Sequence, residues 1–391
     1  MKIGFHYHSN YIKADNRIVV PGYIGVFIDS LASQVEVLYL FLEQQTDPNS
    51  KEEDYVLQQN NIELVSLGNR STFYNRLLHP SHKVAIVKQF AQKMDFMLLR
   101  APTPLAPYIF FALHKTTPVY TLLVGSYVKG LRGLQQPFIR KIGIILFTLY
   151  YQVLHNRMIA KSKIFVNSGE LLEEYKGKAK QISLIKTTTL SEESFFERAD
   201  TCTGKKINIL YTGRINFQKG LRELIEAVST LKNEYDLVIN IVGWEEKGAF
   251  SYEDALKELA EKKGIGTKII FHGKKQIGAE LMKYYREADL YVIPSYHEGF
   301  PRTIWEALAS SLPVIATRVG SIPYYLEHKK NAYLIEPKNV AAIAEALRAI
   351  IEDRELRQML ISNGFLVSKE VTLEKQTKKL IEIIQHEYIR N

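Results

Sequence analysis

The chain has 391 residues, of which 46% are hydrophobic, and carries 51 Lys and Arg against 42 Asp and Glu. That length is too great for one ordinary hydrophobic core and suits two domains. A single cysteine, Cys202, excludes an internal disulfide, and the opening stretch Met1–Tyr7 lacks the apolar run of a secretion signal, so we expect a cytoplasmic protein. The net charge of +9 favours an anionic partner: a phosphorylated substrate, an acidic lipid surface or nucleic acid.

Strands and amphipathic helices alternate along the chain, which predicts an α/β fold with parallel sheets wrapped by helices. In the first half we predict a turn and helix over 22–42 and strands at 2–7, 95–100, 119–124 and 163–168. Residues 187–206 lack periodicity and are predicted to connect two domains, 1–190 and 205–370.

The alternation resumes in the second half of the chain. Strands are predicted at 207–212, 237–243, 268–273, 290–294 and 314–317, and helices at 220–231, 252–263, 279–288 and, in the tail, 372–388. Two similar α/β units facing each other across a cleft would bind ligands at the carboxyl ends of their strands.

Positive charge is concentrated between Lys129 and Lys163, a stretch with seven Lys and Arg residues and no Asp or Glu. Within it, Phe138–Leu154 is apolar and aromatic, yet shorter than the roughly 20 apolar residues that cross a bilayer. Two interpretations stay open: an interfacial segment that rests on anionic lipid, and a buried helix with basic ends.

Two carboxylates, Glu298 and Glu306, lie eight positions apart across a predicted strand, loop and helix. A helix that starts near Pro301 directs the backbone N–H groups of Arg302 and Thr303 toward the loop, where they can hold a phosphate. Carboxylates accept hydrogen bonds from neighbouring sugar hydroxyls, so the pattern fits a sugar attached to a diphosphate. The alternative is a solvated Glu298 and a Glu306 that only stabilises the helix dipole.

A glycine-bounded turn between a predicted strand and helix, Gly213–Gly220, carries Arg214 and Lys219. Arginine offers a bidentate fork to phosphate oxygens, and lysine adds a compact charge near the helix start. The turn therefore predicts an anion clamp, with a solvated basic loop as the alternative.

Other motifs are missing or ambiguous. The sequence has no Gly-x-Gly-x-x-Gly after a strand and no Walker-type Gly-Lys-Ser/Thr, which argues against a dinucleotide dehydrogenase and a P-loop enzyme. It shows no metal-ligand spacing, so no metal site is predicted. His6 and His8 share a face of the first strand and are interpreted as core-edge residues, and Asp95 and Arg100 as polar residues at the ends of a strand.

Together these segments resemble the retaining GT-B glycosyltransferases of family 4, specifically across about residues 205–350 and more loosely before residue 200. The resemblance rests on Gly213-Arg214, Lys219-Gly220, Ala288–Ser295, Glu298–Pro301, Glu306–Ala309 and Pro313–Thr317. It implies two Rossmann-like domains facing each other across a cleft, a nucleotide-sugar bound mainly by the second domain, and transfer with retained anomeric configuration. It also implies that no metal or cofactor is needed, and that a C-terminal helix, about 372–391, packs back on the first domain.

The resemblance also assigns roles. Arg214 and Lys219 would neutralise the donor diphosphate, Glu298 would contact the donor sugar, and Glu306 would accept from the ribose hydroxyls. The first three of these residues are the catalytic candidates. Further residues expected to bind the nucleotide-sugar are Gly22, Gly213, Gly243, Gly299, Phe300, Arg302 and Thr303.

Three positions depart from the family pattern. Tyr23 replaces the second glycine of a pair that begins at Gly22, and Gly125-Ser126 replaces a histidine that helps to hold the donor sugar. After the predicted strand 314–317 the chain reads Gly320-Ser321, where relatives have two glycines and a glutamate, so no role is assigned there.

We therefore expect a metal-independent hexosyltransferase that moves a sugar from a nucleotide-diphosphate-sugar to a cell-surface glycan or lipid-linked acceptor at the cytoplasmic face of a membrane. The expected partners are the donor, the acceptor and an anionic membrane surface contacted through 129–163, without nucleic acid. Two alternatives remain. One is a nucleotide-sugar 2-epimerase of the same fold, and the other is a non-catalytic protein that binds anionic lipid or nucleic acid.

Overall fold

A computed structural model describes residues 1–15, 17–47, 52–125, 138–245 and 251–390. The chain forms two compact units: Met1–Thr187 with Gln376–Asn391, and Thr188–Lys375. Each unit is built around a largely parallel sheet, so the predicted α/β class with two Rossmann-like domains is confirmed. Lys129, Arg132 and Ser126, which were singled out from the sequence, lie outside the described residues.

The first unit is ordered around a central strand near the start of the chain. Its strands are β1 (Lys2–Ala14), β2 (Arg17–Val20), β3 (Val37–Gln44), β4 (Tyr55–Val56), β5 (Ile62–Asn69), β6 (Phe96–Ala101), β7 (Val119–Leu123), β8 (Lys163–Val166) and β9 (Gln181–Leu184). Its helices up to the unit boundary are α1 (Gly22–Ala32), α2 (Phe73–Leu78), α3 (Ser81–Gln89), α4 (Ala106–Leu113), α5 (Phe138–Ile159) and α6 (Gly169–Tyr175).

The parallel part of this sheet runs in the order β5-β3-β1-β6-β7-β8-β9, and β2 and β4 extend it with antiparallel pairs. Strands β3 and β5 lie on one side of β1, and β6 to β9 lie on the other side. The strand order therefore reverses between β1 and β6, which makes a topological switch point at their carboxyl ends.

One predicted element of the first unit is wrong. The helix expected over 22–42 ends at Ala32, and Val37–Gln44 is strand β3, paired in parallel with β1 and β5. The run Val37–Leu42 is continuously apolar, and such a run does not distinguish a buried strand from a buried helix by periodicity. A parallel strand buried on both faces has this composition, and β3 is buried from Leu38 to Glu43.

The second unit holds a six-stranded sheet within the described residues, in the order β12-β11-β10-β13-β14-β15. These strands are β10 (Lys206–Arg214), β11 (Asp236–Trp244), β12 (Ile269–Gly273), β13 (Leu290–Ile293), β14 (Val314–Thr317) and β15 (Tyr333–Ile335). Its helices are α7 (Leu221–Thr230), α8 (Tyr252–Lys262), α9 (Ala279–Glu287), α10 (Thr303–Ala309), α11 (Ile322–Tyr325), α12 (Val340–Glu352) and α13 (Arg354–Ser368).

Burial in the second unit follows the sequence periodicity. Helix α7 buries Leu221, Leu224, Ile225 and Val228, the spacing of one helix face, while β13 and β14 are buried at every position. All the paired strands of this sheet are parallel. Its order reverses between β10 and β13, so the second unit also has a switch point.

The last helix, α14 (Leu373–Arg390), belongs to the first unit from Gln376 onward. The hydroxyls of Thr377 and Ser30 lie 2.9 Å apart, and Glu387 accepts hydrogen bonds from Tyr120 at 3.0 Å and Lys163 at 2.8 Å. These contacts attach the end of the chain to strands β7 and β8 and to helix α1.

Candidate functional site

An ion pair occupies the switch point of the second unit. Lys219 follows β10 and Glu298 follows β13, and the two strands are parallel neighbours. The Nζ of Lys219 lies 2.5 Å from Oε1 of Glu298, with the side chains 16% and 11% exposed. The Ser295 hydroxyl donates to the same oxygen at 2.8 Å. Two residues predicted to act on one ligand are thus in direct contact at the carboxyl edge of the sheet.

Gly220 explains how Lys219 comes so close to the neighbouring strand. Lys219 ends a short 3₁₀ turn, Phe217–Lys219, and Gly220 has φ +66° immediately before helix α7. A Cβ at Gly220 would lie 2.1 Å from the carbonyl oxygen of Pro294. Only glycine combines this left-handed conformation with so close an approach, and it fixes Lys219 beside the end of β13.

The loop that carries Glu298 is held from its other side by a glycine to which the sequence assigned no role. Gly320, with φ +55°, packs so tightly that a Cβ there would lie 1.9 Å from the carbonyl oxygen of Glu298. The N–H of Ser321 donates to the carbonyl of Gly299 at 2.7 Å. Gly320 therefore positions the Glu298 backbone. Because the contact joins two separate segments of the chain, no local sequence pattern predicts it.

Glu306 lies below the surface, with 5% exposure, and both of its oxygens accept hydrogen bonds from protein hydroxyls. Thr189 donates to Oε1 at 2.5 Å and Tyr285 to Oε2 at 2.7 Å. Because the Tyr285 proton is used there, Thr212 donates in turn to the Tyr285 oxygen at 2.6 Å. Burial, reinforced by the Glu306 charge, raises the pKa of Tyr285 well above its usual value.

This geometry refines the prediction for Glu306. A carboxylate has about four lone-pair positions, so two protein donors still leave capacity for a ligand hydroxyl. Thr189, Tyr285 and Thr212 were not singled out from the sequence. Thr189 and Tyr285 contact Glu306 from 117 and 21 residues away, and Thr212 contacts Tyr285.

Comparison with known proteins identifies the second unit. Residues 193–367 match the family described as "Glycosyl transferases group 1". An uncharacterized glycosyltransferase of Methanocaldococcus jannaschii is 31% identical over 156 residues, which is 40% of this chain and 38% of that protein. The second unit is a group 1 glycosyltransferase domain. The match to the curated relatives spans about two fifths of their length, for example 41% of a D-inositol 3-phosphate glycosyltransferase of Corynebacterium urealyticum.

Solved structures resemble the whole chain. Sucrose-phosphate synthase of Thermosynechococcus elongatus superposes with a TM-score of 0.76 at 18% identity, covering 100% of both chains. HepE of Anabaena in complex with UDP-glucose superposes with a TM-score of 0.73 at 19% identity, covering 99% of this chain and 100% of that one. At these identities the comparison establishes the fold, which is that of GT-B glycosyltransferases.

The glycosyltransferase domain gathers four of the eight remaining predicted residues on one loop. Gly299 is exposed, and Phe300, Arg302 and Thr303 are partly buried. Helix α10 begins at Thr303, two residues after the predicted start, with Arg302 as its N-cap. The ring of Phe300 stacks on Trp305 at 4.5 Å, and Tyr291 donates to the Thr303 hydroxyl at 2.7 Å. These contacts hold the loop against the domain core.

The other candidates in this domain lie at the ends of the two adjacent strands β10 and β11. Gly213 and Gly243 are register partners, and Arg214 is exposed directly after Gly213. Their placement puts Arg214 and Lys219 on the same strand-to-helix turn.

Gly22 lies apart from these residues, at the start of α1 in the first unit. Its N–H donates to a carboxylate oxygen of Asp54 at 2.7 Å. An anionic ligand would therefore have to displace Asp54 to reach this amide. The sequence did not predict the hydrogen bond between Asp54 and Gly22.

Proposed function

We propose that this chain is a retaining glycosyltransferase that moves a hexose from a nucleotide-diphosphate-sugar to a cell-surface glycan or lipid-linked acceptor. The observation that carries the proposal is the Lys219–Glu298 pair at the switch point of a group 1 glycosyltransferase domain. The fold supports it, since HepE of Anabaena, which shares the fold, was crystallised with UDP-glucose.

The charges suit the departure of a diphosphate. When the bond between the anomeric carbon and the phosphate oxygen breaks, the electron pair leaves with the phosphate and positive charge grows on the sugar ring. The Lys219 ammonium, held in place by Glu298, and the exposed Arg214 guanidinium would stabilise the departing oxygens electrostatically. A preorganised cation is effective because it needs no reorientation as the charge develops.

The two glutamates would act at opposite ends of the donor. Both observed contacts of Glu298 use Oε1, and Oε2 has no donor among the described residues, so Oε2 can accept from a sugar hydroxyl. Glu306, with its carboxylate oriented by Thr189 and Tyr285, would accept from the ribose. The proton of the acceptor hydroxyl would pass to an oxygen of the departing phosphate, and no metal or cofactor is required.

The test is a thermal-shift and product panel with UDP-, GDP-, ADP- and dTDP-sugars. A donor at 100 times its Kd stabilises the folded chain by about 2.7 kcal/mol, which is readily measured as a rise in Tm. We expect this rise for one donor class, with loss in Glu298→Gln and retention in the surface control Glu258→Gln. A chain that binds none of the donors contradicts the proposal. Release of an epimerised sugar without acceptor supports the epimerase instead.

We further propose that the enzyme works at the inner face of a membrane. Helix α5 carries five large apolar residues that are between 43% and 61% exposed: Ile142, Leu146, Leu149, Tyr150 and Val153. Their spacing of three and four places them on one helix face. Exposed Lys141, Arg157 and Lys161 lie on or just after the helix, and residues 138–163 contain no Asp or Glu.

An anionic bilayer fits this face because it offers both an apolar boundary and negative headgroups. No helix in the described part of the chain is long and apolar enough to cross a bilayer. Of the two interpretations left open by the sequence, the exposed apolar side chains favour the interfacial one over a buried helix.

Vesicle sedimentation tests this surface. The chain should pellet with phosphatidylcholine vesicles that contain phosphatidylserine, and salt should weaken the binding. The double variant Leu146→Glu/Leu149→Glu should bind at least about tenfold more weakly, since it buries less apolar area and adds two repelled charges. Leu366→Glu, equally exposed on helix α13, is the control and should bind like the parent. Equal pelleting of all three proteins contradicts the membrane proposal.

A further inference from the structure

Buried polar atoms without hydrogen-bond partners are concentrated in the first unit, near its switch point. Of 14 such side-chain atoms among the described residues, seven belong to residues on β1, β6, β7 and the loop after β6: His6, His8, Ser9, Asn10, Arg100, Thr103 and Thr121. Native proteins leave few buried polar groups unsatisfied, so this concentration requires an explanation. Ser9, Asn10 and Arg100 lie in the carboxyl halves of β1 and β6, where open α/β sheets bind ligands.

Arg100 is the charged member of this cluster. It lies near the end of β6 and is only 7% exposed, with its guanidinium 4.6 Å from the centre of the Tyr7 ring and 5.8 Å from that of Phe27. Nothing in the described ranges pairs a carboxylate with it, and its Nε has no acceptor. A guanidinium removed from water without a counter-ion is unfavourable, and aromatic contact compensates for only part of that loss.

The charges that act on His8 together with Arg100 are cationic, with Arg76 the foremost of them. Glu43, buried on β3, is already paired with two cations, Arg76 at 3.4 Å and Lys83 in closer contact. The carboxylate of Glu43 is further occupied by the N–H and hydroxyl of Ser71. Arg100, Arg76 and Lys83 therefore exceed the single anion, Glu43, by two positive charges.

The histidines of the cluster can act as neutral hydrogen-bonding groups. Nδ1 of His6 lies 2.9 Å from the Phe41 carbonyl, which can only accept, so Nδ1 carries the hydrogen and Nε2 is an unprotonated acceptor. Burial lowers the pKa of His6 to about 4. Burial, together with the charges of Arg76 and Arg100, lowers the pKa of His8 to about 3. At neutral pH the cluster thus offers one unpaired cation beside neutral donors and acceptors.

We propose that this cluster is an oxyanion subsite of the first unit, in which Arg100 binds a phosphate or carboxylate group of the acceptor substrate. Guanidinium is suited to both groups because its planar fork matches two oxygens at once. The hydroxyls of Ser9 and Thr103, the amide of Asn10 and the free ring nitrogen of His8 would bond the oxyanion and the adjoining hydroxyls. The role of this subsite as part of an acceptor site rests on the proposed glycosyl transfer. Binding of an oxyanion at the subsite does not depend on glycosyl transfer, because all the residues of the subsite belong to the first unit.

Inorganic phosphate and acetate are the probes, titrated calorimetrically into the full chain. The donor-site clamp also attracts phosphate, so the parent should show two classes of site. Arg100→Gln should weaken one class about tenfold or more, whereas Lys219→Met should weaken the other. Lys115→Gln, an exposed charge change elsewhere in the first unit, should leave both intact. Saturation of the Arg100 class by acetate rather than phosphate would identify a carboxylate-bearing acceptor, and the reverse a phosphorylated one.

A second measurement guards against a variant that misfolds. Arg100→Met keeps the length and apolar contacts of the side chain but removes the unpaired charge. In buffer without phosphate its Tm should equal or exceed that of the parent, and added phosphate should raise it less. If Arg100 served only to support the fold, the Tm would fall and the phosphate response would be unchanged.

The outcomes separate the two proposals. Loss of phosphate binding in Lys219→Met alone, with Arg100→Gln binding like the parent, overturns the oxyanion subsite and leaves the donor site in place. Loss of a site in Arg100→Gln in a chain that binds no nucleotide-sugar overturns the proposed glycosyl transfer but supports the anion subsite.

Discussion

Replacing Lys219 by methionine removes the cation at the second switch point while keeping most of the side-chain volume. The Nζ lies 2.5 Å from Glu298, and both side chains are more than four-fifths buried. Removing one member of a buried pair costs about 3–5 kcal/mol, because the remaining charge is left without a partner. Since both groups keep some contact with water, and Ser295 still donates to Glu298, we expect the lower end, about 3 kcal/mol.

The effect on turnover is separable from the effect on stability. A preorganised donor to a developing anion contributes about 100- to 1,000-fold to the rate, so the kcat/KM of Lys219→Met should fall by at least about 100-fold. The assay is release of nucleoside diphosphate from the donor, measured below the Tm of the variant. Lys257→Met, which breaks an exposed pair on helix α8, is the control and should change stability by less than about 0.5 kcal/mol.

The double variant Lys219→Met/Glu298→Gln closes the thermodynamic cycle. It should be more stable than Lys219→Met alone, because it removes the stranded carboxylate charge. A folded Lys219→Met chain that releases nucleotide at the parental rate would refute the reasoning about the clamp.

Three further predictions concern close packing and burial, two of them around the site and one in the first unit. Gly220→Ala should destabilise the chain by at least about 2 kcal/mol more than Gly273→Ala in urea unfolding. Both positions have positive φ (+66° and +70°), but a Cβ at Gly220 would clash with backbone, whereas a Cβ at Gly273 would have no atom within 4 Å. Equal losses of stability in the two variants would contradict the close-packing argument. Tyr285→Phe should cost about 2 kcal/mol and raise the KM for the donor, because it leaves Glu306 with one protein donor, and an unchanged KM would separate Glu306 from donor binding. Burial lowers the pKa of His155 to about 4 from 6.5, so between these values the unfolded chain binds the proton first and stability falls on acidification. From pH 7 to pH 5 this residue should account for about 2 kcal/mol of lost unfolding free energy. The urea midpoint of His155→Gln should therefore fall less than that of the parent over this range.

The sequence predicted where part of the candidate site lies in the fold. The positions of Lys219 and Glu298 follow from strand-end rules, since a turn after one strand and a loop after the adjacent strand meet at the carboxyl edge of a parallel sheet. Their direct pairing did not follow, because it depends on the close approach that Gly220 permits. The hydroxyl contacts to Glu306 could not be predicted from a local sequence pattern either, because tertiary folding brings Thr189 and Tyr285 to Glu306.

Arg100 shows the opposite limitation. From the sequence it was interpreted as a polar residue at the end of a strand. The structure buries it against two aromatic rings. The sequence period predicted β6 itself, but whether a cation at its end reaches water depends on what packs over it, and neither composition nor spacing carries that information.

The attachment of Gln376–Asn391 to the first unit makes that unit discontinuous in the chain. A fragment ending at Thr187 lacks the carboxylate of Glu387 that Tyr120 and Lys163 contact, so it should fold incompletely, whereas 188–375 is a contiguous stretch. Because synthesis proceeds from the N-terminus, the ribosome must finish the second unit before the first receives its last helix. The half of the protein that is made first is therefore completed last.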